Sequence, residues 1–154
     1  MDKLWAPWRI KYVAGKKQKK CIFCEAFKTK AKNYLVFKTR MSLAMLNLYP
    51  YNNGHLMVAP ARHVKSLEAL SDAELLDLFH SLSKARKMLD KVLKPQGYNI
   101  GINLEEVAGA GIAGHLHVHI VPRWKGDCNF MPVLSDTKII SQSLDELYRL
   151  LKNA

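Results

Sequence analysis

Short apolar-rich runs separated by turn residues organise most of the chain. Tyr34 to Lys38, Leu43 to Asn47, His55 to Pro60, Tyr98 to Asn103 and His115 to Pro122 each predict a strand. A polar turn around Thr39, Arg40 and Met41 separates the first two, and Tyr49-Pro50-Tyr51-Asn52-Asn53-Gly54 is a strong turn signal before the third. Between the third and fourth strands the period changes. Leu75, Leu76, Leu78, Phe79, Leu82, Ala85, Met88, Leu89 and Val92 recur at helical spacing, and Ser71-Asp72-Ala73-Glu74 reads as a capping box, so a helix is predicted from Ser71 to Leu93. Pro95 and Gly97 stop it, and Ser143 to Lys152 predicts a short amphipathic closing helix. Dispersed strands with one long helix give an α+β class with a mostly antiparallel sheet.

At 154 residues the expectation is a single domain over 1–154 with room for a substantial core. No signal peptide or spanning helix is predicted, so a cytoplasmic protein without a membrane partner is expected. The net charge of +11 is concentrated near the start: residues 1–40 hold twelve Lys/Arg against Asp2 and Glu25. That excess attracts polyanions without choosing among nucleic acid, acidic lipid and polyphosphate nucleotides. The run Lys16, Lys17, Lys19 and Lys20 is a solvated loop unless structure gathers it into a nucleic-acid patch. Leu4-Trp5-Ala6-Pro7-Trp8-Arg9 suits an arm, within residues 1–20, packed on the domain.

His115, His117 and His119 alternate with Leu116 and Val118, which on a strand puts three imidazoles on one face. Imidazole is the side chain best suited near neutral pH to act as nucleophile, proton shuttle or metal ligand. The Gly109-Ala110-Gly111-Ile112-Ala113-Gly114 loop just ahead supplies unobstructed backbone N–H groups suited to phosphate oxygens. Cys21-Ile22-Phe23-Cys24 has the spacing of a metal knuckle or a redox pair. A Lys-rich loop, rather than a helix start, is its expected setting, which argues for metal. His63 and one histidine of the triad are candidate partners, with Cys128 weaker.

His115-Leu116-His117-Val118-His119-Ile120-Val121 resembles the signature of the histidine triad (HIT) superfamily of nucleotide hydrolases and transferases. The early Cys pair, the Leu4–Arg9 segment, and His119-Ile120-Val121-Pro122-Arg123-Trp124 with Gly126-Asp127 and Asn129-Phe130-Met131 resemble the bacterial branch related to diadenosine tetraphosphate phosphorylases and hydrolases. The resemblance implies a five-stranded, mostly antiparallel sheet with one long and one short C-terminal helix, and a homodimer. It implies that His117 attacks the α-phosphorus to give a nucleotidyl-histidine, that the backbone carbonyl of His115 orients it, and that His119 and His55 line the phosphate site. By the same likeness Asn47 contacts ribose, Asn103 lies on the phosphate side, and Gly111, Ile112 and Ala113 form the phosphate cradle. Several relatives place Gln or Ser where Gly111 and Ile112 stand, so the cradle here leans on backbone amides. The loop between Asn103 and His115 is also one residue longer than in dinucleoside triphosphate hydrolases. The same likeness places Cys21, Cys24, His63 and His115 around a structural zinc. The function expected is cleavage of dinucleoside polyphosphates. Phosphoramidase or nucleotidyl transferase activity, or nucleotide or nucleic-acid binding with little turnover, stands as the alternative.

Overall fold

The computed structural model describes residues 20–28, 33–127 and 140–154. The expectations for Trp5, Trp8, the lysine run up to Lys19 and Cys128 to Met131 lie outside them. A helix α1 (Ile22–Lys28) leads into strands β1 (Leu35–Lys38), β2 (Ser42–Leu46) and β3 (Leu56–Pro60). Helix α2 (Asp72–Leu93), strands β4 (Gly97–Ile102) and β5 (Val118–Arg123), and helix α3 (Leu144–Lys152) follow. The strands make one antiparallel sheet in the order β1-β2-β3-β5-β4, as the α+β reading expected.

Helix α2 starts where its capping box puts it: the Ser71 hydroxyl accepts from the Glu74 N–H, and the Glu74 carboxylate accepts from the Ser71 N–H. Arg62 also binds that carboxylate, which pins the segment after β3 to the helix start. The helix ends at Lys94, held left-handed just before Pro95.

The sheet has two unlike faces. Ala44, Leu46, Leu56, Val58, Val118 and Ile120 face Leu78, Leu82, Ala85 and Leu89 of α2 and Leu147 and Leu151 of α3, forming the larger core. The alternate positions, Leu43, Met45, Met57 and Ala59, meet Phe23 and Ala26 of α1. His119 stands opposite Met57 in the ladder and therefore shares this second face. The turn before β3 needs Gly54: its φ is +78°, and a Cβ there would lie 2.6 Å from Leu93 Cδ1 and 2.9 Å from Pro122 Cγ.

Two expectations are corrected. Strand β5 begins at Val118, so His115, Leu116 and His117 precede the ladder. The cause is Pro60, next in line on β3, which has no N–H to offer and gives its carbonyl to the His115 ring instead; the Leu116 N–H turns to the Val64 carbonyl. The Cys pair is not in a loop. Cys21 precedes α1 and Cys24 lies in its first turn, with the Cys21 carbonyl accepting from the Glu25 N–H.

Candidate active site and metal centre

Three backbone segments far apart in sequence meet at the end of β3. Cys21 Sγ lies 3.2 Å from His115 Nδ1, Cys24 Sγ lies 3.3 Å from His63 Nδ1, and Cys24 Sγ lies 3.7 Å from His115 Nδ1. All four ligand atoms fall within 4.8 Å of one another. Bonds of about 2.0–2.3 Å to a tetrahedral zinc imply ligand separations of roughly 3.3–3.8 Å, so these residues fit such an ion with little movement. His115 Nε2 donates to the Pro60 carbonyl at 2.9 Å, which leaves the Nδ1 lone pair aimed at the sulfurs. Burial and the adjoining Cys21 push the Cys24 thiol up, the opposite of the depressed thiol used by a redox pair. Metal binding is thus favoured on geometry, although the loop setting expected for the pair was wrong.

The carbonyl of the same His115 accepts from His117 Nδ1 at 2.8 Å. A carbonyl can only accept, so Nδ1 carries the proton and Nε2 keeps its lone pair. Phe23 packs against both rings, with centroids 5.1 Å and 5.0 Å away. His117 is buried, which lowers its pKa while the bond to the His115 carbonyl raises it. The net effect is a neutral imidazole at neutral pH with a free nitrogen.

A second relay fixes His119. The Tyr51 N–H donates to His55 Nδ1 at 3.0 Å, and Asn47 Nδ2 lies 3.3 Å from the same nitrogen. His55 Nε2 therefore holds the proton and donates to His119 Nδ1 at 2.9 Å, leaving His119 with its N–H on Nε2. Burial, with His119 and His117 nearby, pushes His55 down to about 3. Burial and His117 push His119 down to about 4. The rings of His117 and His119 are 4.9 Å apart. One imidazole presents a lone pair and its neighbour a proton.

Behind the relay, Asp127 is a hub that sequence reasoning missed. Its carboxylate binds Arg123 through Nε at 2.6 Å and Nη2 at 3.0 Å, and accepts from Asn52 Nδ2 at 2.8 Å and the Trp124 N–H at 3.2 Å. Asn52 also donates to the Pro122 carbonyl, and its own carbonyl accepts the His55 N–H. The turn that aims the Tyr51 N–H is thereby tied to β5. Gly126-Asp127 entered the sequence reading only as part of a resemblance, and no local signal joins it to Asn52.

The remaining expected residues are placed as follows. Asn47 uses both ends of its amide internally, Oδ1 accepting from the Tyr49 N–H. Asn103 borders a cavity beside His119. Gly111, Ile112 and Ala113 lie in the turn entering His115, whose N–H bonds the Ile112 carbonyl. Among the described residues no helix is long and apolar enough to cross a membrane.

The family model described as HIT domain matches residues 28–126. The AP-4-A phosphorylase of Mycobacterium tuberculosis is 39% identical over 161 residues, covering 98% of this chain and 83% of its own length. The asymmetrical bis(5'-nucleosyl)-tetraphosphatase of Schizosaccharomyces pombe is 42% identical over 91 residues, 59% of this chain and 50% of that protein. Among solved structures, a Zn-bound histidine triad family protein from Mycobacterium smegmatis superposes with a TM-score of 0.70 at 24% identity, covering 87% of this chain and 91% of that one.

Proposed function

Since the chain belongs to the HIT domain family, we propose that it cleaves dinucleoside polyphosphates of the diadenosine tetraphosphate type by nucleotidyl transfer through His117. The observation that carries this reading is the held tautomer of His117, with Nδ1–H on the His115 carbonyl at 2.8 Å and Nε2 unencumbered. In the first step the Nε2 lone pair forms a bond to the α-phosphorus, and the P–O bond to the rest of the polyphosphate breaks. The departing oxygen leaves as a phosphate anion that accepts a hydrogen bond from His119 Nε2–H, whose own Nδ1 is supported by His55. In the second step an acceptor oxygen attacks the same phosphorus, the P–N bond breaks with its electron pair returning to His117 Nε2, and any proton on the acceptor passes to solvent. Water as acceptor gives nucleoside monophosphate, and inorganic phosphate gives the diphosphate. The backbone of Gly111 to Ala113 is the proposed phosphate cradle, with Asn103 beside it.

Cys21, Cys24, His63 and His115 would hold a structural zinc, since protein fills all four positions and leaves none for a substrate water. Bound there, zinc supplies rigidity to the segment whose carbonyl orients His117. Thiols held for a metal suit a reducing cytoplasm. Strand β4 is a sheet edge with Ile100 exposed on the face away from the histidines, and its outer edge is the proposed contact of a homodimer. Incubation with diadenosine tetraphosphate, with and without phosphate, followed by product identification tests the reading. Wild-type protein that cleaves nothing would sink it, and unchanged cleavage by His117→Ala would sink the nucleophile.

A further inference from the structure

A cavity of about 200 Å³ opens beside His119. Its lining includes Tyr51, Asn99, Gly101, Asn103, His119 and Val121, most of which the sequence reading left without a role. A water molecule occupies roughly 30 Å³ of liquid, so this space is several times what a hydrolytic water takes. The register explains why it exists. Gly101 pairs with His119 and Asn99 with Val121, so these four share the histidine face, and Gly101 brings no side chain to fill it. A Cβ placed on Gly101 would meet nothing within 4 Å.

Two polar side chains beside the space are set as donors by their other partners. His119 presents Nε2–H, by the relay through His55. Asn99 has its Oδ1 taken by Arg123 Nη1 at 2.7 Å, which leaves its NH2 to donate. That guanidinium is in turn held on two nitrogens by the Asp127 carboxylate, so the amide orientation of Asn99 is set from behind. Asn103 adds a second amide at the rim. Two donors lining a space larger than water suit a tetrahedral oxyanion.

We propose that this cavity is an acceptor subsite for a phosphate-class oxyanion, in which Asn99, oriented by Arg123 and Asp127, biases the second step toward phosphate over water. The proposal rests on nucleotidyl transfer through His117. The same oxyanion chemistry has two sources: the first phosphate of the leaving polyphosphate in step one, and free inorganic phosphate in step two. In the second step a phosphate oxygen forms the new P–O bond, the P–N bond to His117 breaks, and the product is nucleoside diphosphate.

The test is the partition of one substrate between two products, a ratio that does not depend on how much active enzyme is present or on the rate of step one. Diadenosine tetraphosphate is turned over at a series of inorganic phosphate concentrations, and the ADP to AMP ratio is measured for wild type, Asn99→Ala, Asn99→Asp and Gly101→Val. Wild type is expected to show a ratio that rises with phosphate. Each variant lowers that ratio about tenfold at fixed phosphate, Asn99→Asp by charge and Gly101→Val by filling the space. The two sources separate in the rates: a loss confined to the product ratio assigns the site to free phosphate, and an added fall in total substrate consumption assigns it to the leaving chain as well. Wild-type protein giving AMP alone at every phosphate concentration overturns the subsite while leaving nucleotidyl transfer intact. Ratios unchanged in all three variants overturn it too, and no cleavage by wild type removes the reading beneath it.

Discussion

Acid should destabilise this protein well above the range where carboxylates protonate, because two of its buried histidines are held neutral. His55 and His119 titrate near 3 and near 4 in the folded chain, against an ordinary 6.5. The unfolded chain therefore takes up protons first as pH falls, so the stability these groups contribute is complete above about pH 6.5 and is lost on the way down toward their folded values. Between about pH 8 and pH 5 each unfolded histidine gains about 1.5 pKa units of proton-binding free energy that the folded one forgoes, at roughly 1.4 kcal/mol per unit. That is about 2 kcal/mol each and about 4 kcal/mol together, a large fraction of the roughly 5–15 kcal/mol that holds a domain folded. The assay is urea unfolding at several pH values across that window, for wild type and His55→Gln. His117, whose ring contacts His119, titrates in both proteins and cancels in the comparison. The variant should be less stable at pH 8 yet lose about 2 kcal/mol less on going to pH 5. Equal slopes for the two proteins would refute the neutral relay, whatever their absolute stabilities.

Cys24→Ser or His63→Ala should abolish binding of about one zinc equivalent per chain and lower Tm by several degrees, read by metal analysis and calorimetry; a chelated wild type with unchanged Tm would contradict this. Gly54→Val should cost about 2–4 kcal/mol in urea unfolding, since φ is +78° and the new Cβ meets Leu93 and Pro122. Asp127→Ala should cost about 1–3 kcal/mol, because the carboxylate is 7% exposed and its loss removes one of the two acceptors of the Asn52 amide, the Pro122 carbonyl remaining, while Arg123, 43% exposed, is partly rescued by water. The same variant should lower kcat more than it raises KM, as the turn carrying the Tyr51 N–H loosens.

What could be read without coordinates was whatever local spacing encodes. Ser71 and Glu74 sit three residues apart and mark the helix start directly, and the apolar stripe read as core named most of the face α2 buries, except that Leu76 and Phe79 point to solvent. The histidine cluster and the ligand set were legible as residue types, and the geometry gathers Cys21, Cys24, His63 and His115. Alternation alone carried the strand three residues too far, because the effect of Pro60 is exerted across the ladder, 55 residues away from His115. It also could not separate the helical Cys pair from a loop, since α1 is only 7 residues long and its flanks are basic. The Asp127 hub was invisible for the same reason as the His55 to His119 bond: its partner Asn52 is 75 residues distant, and neither residue type announces the other.

Pro60 also decides where this chain can change length. Its carbonyl anchors His115, and three residues later His63 must reach the same cluster, so one residue inserted between Pro60 and His63 would swing that imidazole away. An insertion between His115 and His117 would break the bond from His117 Nδ1 to the His115 carbonyl. The stretch from Leu104 to Ala110 has no such duty, with Val107 fully exposed and the 3-10 turn at Glu106–Ala108 burying nothing. Length variation is therefore tolerated in that loop, upstream of the histidines, and forbidden between Pro60 and His63 and between His115 and His117.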